Sequence, residues 1–243
     1  MTFDFTNRHK YRKETGTGLA AYSVSYKYAD LFIQTNLDLS EIAEEALKKY
    51  YDQIQNFVRS CPEFEYSLVP VKCPADAPDI IKDMTEASRL AGVGPFAAVA
   101  GVVAEYVGRE LLEYSDTVFA ENGGDIFLHT KDKCSVAIYA GNSPLSMRSG
   151  LVLPSGSFGV CTSSGRIGHS RSFGKAHTAV CVSKNTALAD SCATLLGNLV
   201  KTPQDISDAI NRICGIDGII GAVCIIDEHI GFSGDLELIE ARG

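Results

Sequence analysis

The sequence predicts an α+β protein in which mixed or antiparallel strands carry packed helices. Three observations predict it. Residues 38–58 hold an apolar stripe at helical spacing. Asn122-Gly123 stands between two apolar runs and is the residue pair that closes tight hairpins. Residues 178–198 pass from strand-like alternation into a run of Ala and Leu.

Residues 11–17 are polar and read as extended. Residues 19–25 alternate as a strand, and residues 28–35 supply a hairpin partner with Leu31 and Ile33 on one face. Asp38 is the expected N-cap of the first helix, with Glu41 three residues on as in a capping box. Ile42, Ala46, Leu47, Tyr50, Ile54, Phe57 and Val58 form its buried stripe, and Glu44, Lys48, Lys49 and Asp52 lie off it. Cys61-Pro62 ends it. Residues 66–71 alternate, but Pro70, Pro74 and Pro78 restrict them to an edge strand or rigid connector. Pro78 opens a helix with Ile80, Ile81, Met84 and Ala87 on one side.

Residues 91–108 read as a Gly-rich turn entering a helix of small residues. Such a turn suits either close packing of another backbone or an anion at the helix start. The dinucleotide signature G-x-G-x-x-G is not matched. Residues 117–128 form a hairpin around Asn122-Gly123-Gly124. Residues 131–134 turn, residues 135–140 give a strand, and residues 141–145 a loop.

Residues 158–178 gather four glycines, five Ser or Thr before Thr178, Arg166, Arg171, Lys175, His169 and His177, with no acidic residue. Hydroxyls, backbone N–H groups and cations together suit a phosphate or pyrophosphate; a polar loop is the plainer reading. Val180 and Val182 then alternate along a strand. Residues 184–186 break the pattern, and a helix follows, with Gly197 and Asn198 as its expected end. Asp190 and Thr194 lie four apart on one face of that helix. A carboxylate with a hydroxyl one turn on can hold a hard cation such as Mg2+. The same pair also reads as a capping or solvent-facing Asp and a Thr bonded back to its own helix. Residues 205–214 give a short helix, Asp217-Gly218 a turn, residues 219–226 a buried strand, and residues 230–239 the closing strands.

The 243 residues suit one domain. A compact chain of this size buries roughly 70–75% of its unfolded surface, so it needs no staples. A formal net charge of −8 argues against non-specific nucleic-acid binding but leaves room for a local basic pocket. No run of about 18 apolar residues predicts a membrane span, and residues 1–13 lack the apolar core of a signal peptide. Eight Cys without a C-x-x-C pair read as free thiols in a reducing compartment, so a cytoplasmic location is expected. The residues leave open whether the chain forms a homo-oligomer.

Three motifs in order resemble the ApbE superfamily, whose best-known members are flavin transferases that use FAD and Mg2+ to move FMN onto a threonine of a target protein. Asn122-Gly123-Gly124-Asp125-Ile126 resembles the family's Gly-Gly-Asp strand turn. Val160-Cys161-Thr162-Ser163-Ser164-Gly165 resembles its Ala-Thr-Ser-Gly segment. Ala189-Asp190-Ser191-Cys192-Ala193-Thr194 resembles its Ala-Asp-Ala-x-Ala-Thr helix. The Gly-rich helix start from Gly94 to Gly101 precedes them in the same order. The likeness spans residues 92–198 and implies an ApbE-like fold, with two pseudo-symmetric lobes around one cleft as one expected arrangement.

The resemblance assigns metal ligation to Asp190 and Thr194, with a backbone carbonyl near Ala97. It places FAD or a related nucleotide pyrophosphate against Gly94, Asn122, Gly123, Gly124, Thr162, Ser163, Ser164, Gly165 and Arg166. Asp125 and His169 become the catalytic candidates, and a protein acceptor of unknown identity is implied. The chain departs from the pattern twice. Residues 95–99 lack the family's Lys and preceding Asp, and residues 169–174 lack its Asp-Pro. The match is to a short cytosolic branch of the superfamily. A flavin or nucleotide carrier without transferase activity is therefore the competing reading. A third reading makes Cys161 a nucleophile beside His169 or His177, against the plain alternative of a buried Cys.

Overall fold

The computed structural model describes residues 18–164 and 174–240. Strand β1 (Ala20–Tyr26) turns through Lys27-Tyr28 into β2 (Ala29–Thr35), with Tyr26 opposite Ala29. Lys27 takes a left-handed φ of 53° to make this two-residue turn, a conformation its residue type does not advertise. Helix α1 (Ser40–Ser60) buries Ala43, Ala46, Leu47, Ile54 and Val58. Asp38 is not its N-cap: Leu39 occupies that position, and the Asp38 carboxylate accepts the Ser40 N–H at 2.9 Å one residue before it.

Residues 66–71, read as an edge strand or a rigid connector, form no strand. One helical turn, α2 (Glu63–Tyr66), anchors itself through buried Phe64, and irregular chain follows where the prolines remove backbone donors. Helix α3 (Asp79–Ala91) ends on Gly92 in the left-handed conformation. A single 3-10 turn (Pro95–Ala98) leads into α4 (Val99–Leu111). Strands β3 (Val118–Asn122) and β4 (Asp125–Thr130) form the expected hairpin. Its turn residues are Gly123 and Gly124, both at positive φ, one position later than the Asn-Gly signal suggests.

Strand β5 (Cys134–Ala137) stops three residues short of the expected strand. Strands β6 (Ser149–Leu153) and β7 (Gly156–Ser163) follow. Residues 158–163, read from sequence as the opening of a polar loop, are thus part of a strand. Strand β8 (Thr178–Ser183) leads to α5 (Thr186–Leu199), which runs through Gly197 and Asn198 and caps on Val200 in extended conformation. The last elements are a 3-10 turn (Pro203–Asp205), α6 (Ile206–Cys214), β9 (Ile219–Ile226), β10 (His229–Gly234) and β11 (Glu237–Glu240).

Eight strands form one sheet in the order β1-β2-β3-β4-β7-β8-β9-β10, and β11-β6-β5 form a second. Every pairing is antiparallel. The central strands are buried on both faces, and residue size is sorted by face. Cys161, Ala179, Cys181, Ala222 and Cys224 point into the core shared with the helices. Phe158, Val160, Val180, Val182, Val223 and Ile225 pack under the three-stranded sheet with Leu151 and Leu153. Small side chains on the helix face let α5 lie close to the sheet: a Cβ on Gly159 would stand 2.5 Å from the Thr186 Cα. All eight cysteines are free. No single helix among the described residues is long and apolar enough to cross a membrane.

Candidate functional site

The α4 start, the β3–β4 turn, the end of β7 and the first turns of α5 meet at one end of the sheet. Asp190 lies one turn into α5 and is buried. Its Oδ2 accepts the Gly101 N–H at 2.8 Å, in the first turn of α4. That helix has no side-chain cap of its own, so Asp190 supplies one from a different helix. Gly101 makes the approach feasible: a Cβ there would stand 2.8 Å from the Thr186 carbonyl oxygen and 2.9 Å from the Asp190 Cβ.

Asp125 opens β4 directly after the Gly123-Gly124 turn. Its Oδ1 accepts the Thr162 N–H from β7 at 3.0 Å. Burial pushes its carboxyl well above the ordinary carboxylate range, repulsion from Asp190 adds to this, and the Thr162 N–H opposes it. Burial likewise pushes Asp190 up to about 7, against the lowering effect of the Gly101 and Ala100 N–H groups. Glu121 adds further negative charge near Asp125, and its Oε1 accepts the Gly124 N–H at 2.6 Å.

Asn122 is buried and donates its side-chain amide to the Ala100 carbonyl at 3.1 Å, tying the hairpin to the α4 start. Ala97 lies on the 3-10 turn just before α4, and Thr194 lies one turn beyond Asp190 on α5; both are half-buried. Gly94 precedes the same turn. A Cβ there would stand 1.8 Å from the Ser67 carbonyl oxygen, so the chain's own backbone fills the space that a side chain would need. Thr162 and Ser163 end β7, with Ser164 next to them. Gly165, Arg166 and His169 lie outside the described residues, as do Ser170, Arg171, Ser172 and Phe173.

Cys161 is fully buried, and burial followed by the charge of Asp125 and Asp190 pushes its thiol well above the ordinary thiol range. That environment suppresses the thiolate a nucleophile needs, so the reading of Cys161 as a catalytic thiol is not supported. His177 is also buried, with its Nδ1 accepting the Asp227 N–H at 3.0 Å. Sequence reasoning missed Glu105, which is buried on α4 with its Oε2 accepting the Thr186 N–H at 2.7 Å. Its four-residue distance from Arg109, with which it pairs, reads in sequence as an ordinary surface ion pair.

The donor set suits a hard cation in a specific way. Among the described residues, no three His, Cys, Asp or Glu side chains form a metal cage. Two buried carboxylates that repel each other nonetheless favour a positive ion between or beside them. Mg2+ commonly uses one or two carboxylates with other oxygens and water, and a hydroxyl such as that of Thr194 or a carbonyl such as that of Ala97 has the right chemistry.

An all-antiparallel α+β fold with this Gly-Gly-Asp turn and Asp-bearing helix defines the class. The family model described as AbpE bacteria matches residues 12–225, and the chain belongs to this family, within the ApbE superfamily. The UPF0280 protein of Methanococcus aeolicus is 37% identical over 218 residues, covering 84% of this chain and 88% of that protein. The UPF0280 protein of Methanothrix thermoacetophila is 38% identical over 199 residues, covering 81% and 84%. Among solved structures, the flavin transferase ApbE from Vibrio cholerae is similar, with a TM-score of 0.58 and 10% identity over 89% of this chain and 96% of that one. The ApbE protein from Thermotoga maritima gives a TM-score of 0.53 at 11% identity over 92% and 100%. These structural likenesses show the fold.

Proposed function

We propose that this protein binds FAD or a related nucleotide pyrophosphate together with Mg2+, and acts as a flavin transferase or pyrophosphate-cleaving enzyme. The observation that carries the reading is the buried pair Asp125 and Asp190 at the start of α4, between the Gly-Gly turn and the end of β7. Asp190 and Thr194, with the Ala97 carbonyl, would hold the metal. A bound Mg2+ supplies electrostatic stabilisation for charge developing on the pyrophosphate. Asp125, held by the Thr162 N–H, would accept a proton from an attacking hydroxyl or water, a role that its raised proton affinity suits. Thr162, Ser163, Ser164 and Gly165, with Arg166 and His169, would grip phosphate, and His169 is the second catalytic candidate. Asn122, Gly123 and Gly124 would shape the wall opposite, and Gly94 would set the turn that presents Ala97.

The cleft in this reading would lie between the Gly123-Gly124-Asp125 turn, the end of β7 at Thr162 and Ser163, and the Asp190 helix. The partners are a flavin or nucleotide and an acceptor protein, in the cytoplasm. The likeness in fold to the V. cholerae flavin transferase supports the substrate class. The test is a flavin-fluorescence titration with and without Mg2+ on wild type and Asp190→Ala. Mg2+-dependent binding that is lost in the variant supports the reading, and unchanged binding in Asp190→Ala overturns it. A carrier that binds the ligand without turnover is the second reading, favoured by the missing Lys and Asp at residues 95–99.

A further inference from the structure

We propose that Glu105 is a positioning residue that holds Asp190 in place through a reciprocal lock between α4 and α5. The proposal rests on the reading of Asp190 as a metal ligand. On α4, Gly101 donates its N–H and Glu105, four residues later, presents a carboxylate. On α5, Thr186 donates its N–H and Asp190, four residues later, presents a carboxylate. Each carboxylate accepts the other helix's donor: Asp190 from Gly101 at 2.8 Å, and Glu105 from Thr186 at 2.7 Å. Both donors lie in the first turn of their helix, where no intrahelical acceptor exists and the helix dipole favours negative charge.

Both carboxylates are buried. A buried carboxylate persists where specific donors compensate its lost hydration, and here each finds its donor on the opposite helix. Arg109 pairs with the other Glu105 oxygen, which fixes the side chain while leaving Oε2 for Thr186. Gly101 sets the distance, because a Cβ there would meet both the Thr186 carbonyl and Asp190. A slide or rotation of α5 that moves Asp190 must therefore also break the bond of Glu105 to Thr186. The two bonds form one unit, and Glu105 fixes the register of the helix that presents Asp190.

Two readouts on Glu105→Ala and Glu105→Gln test this: amide hydrogen exchange at individual residues, and Mn2+ affinity by electron paramagnetic resonance. Thr186 exchanges faster in Glu105→Ala on any account, since its acceptor is gone. A lock predicts that Gly101 also exchanges about tenfold faster, with Val180 and Val182 unchanged, because about 1.4 kcal/mol of coupling corresponds to a factor of ten. Mn2+ affinity should fall by a similar factor, and Glu105→Gln, which keeps an acceptor oxygen, should recover part of both effects. A Gly101 amide that stays at the wild-type rate overturns the proposal, as does equal acceleration of Val180 and Val182. If Glu105→Ala does not fold, Gly101 exchange in Glu105→Gln decides in the same way. A wild-type protein that binds no Mn2+ contradicts the metal reading alone, because Gly101 exchange still decides whether the lock exists.

Discussion

Two influences pull the protonation of Asp190 in opposite directions. As the cap of α4 it gains from being charged, because the Gly101 and Ala100 N–H groups favour the anion. Burial dominates and pushes it up to about 7. A carboxylate whose folded pKa lies above its unfolded value stabilises the fold below about pH 4, and that contribution is lost as pH rises through about 7. The metal-free protein should therefore lose thermal stability between about pH 4 and 7. Mg2+ should raise the melting temperature more at pH 8 than at pH 6, because it competes with the proton for the same oxygen. Asp190→Asn should reduce the pH dependence to the part that Asp125 contributes and abolish the Mg2+ shift; calorimetry across pH 5 to 8 checks both. At this scale the sequence was informative where a turn signal is local, as with the Gly123-Gly124 turn before Asp125. Glu105 was illegible because its partner, the Thr186 N–H, is a backbone group 81 residues away.

The elements that position the site depend on absent side chains. Gly101 lets α4 touch α5. Gly108 lets α4 touch β4, where a Cβ would stand 2.2 Å from the Phe127 ring. Gly101→Ala should destabilise the protein by about 1–3 kcal/mol, the usual effect of overpacking a tight contact. It should also weaken metal binding, because the displaced atoms include Asp190. Chemical denaturation and a Mn2+ titration on the same variant measure the two effects. Elements with one strong periodic signal were legible: α1 from its stripe, the β3–β4 hairpin, and β9 at its observed bounds. Strand β7 was obscured because its small and hydroxyl residues serve a strand buried on both faces, where alternation of polarity disappears. Residues 66–71 alternated without forming a strand, since alternation does not supply the missing proline donors.

Across the whole molecule, the eight-stranded sheet recruits elements from β1 near the start to β10 near the end, and its middle order β4-β7-β8-β9 joins distant segments. A cut after β4 would part the sheet into β1–β4 and β7–β10, but one hydrophobic core runs through both halves and joins α1, α3 and α4 to α5 and α6. A single cooperative unfolding transition, with matching calorimetric and van't Hoff enthalpies, is therefore expected. The fold class could be read from the sequence because hairpins and helix stripes are local. The layer order could not, because the sorting of small residues toward the helices and large ones toward the second sheet is visible only once register is known. The chemistry follows the fold less strictly, since the same architecture serves a transferase or a carrier equally well. Incubation of the purified protein with FAD, with and without Mg2+, followed by separation of the flavin products, tests the central claim most directly. The account predicts Mg2+-dependent FAD cleavage or FMN transfer that disappears in Asp190→Ala; intact FAD recovered under every condition, with no Mg2+-dependent binding, would contradict it.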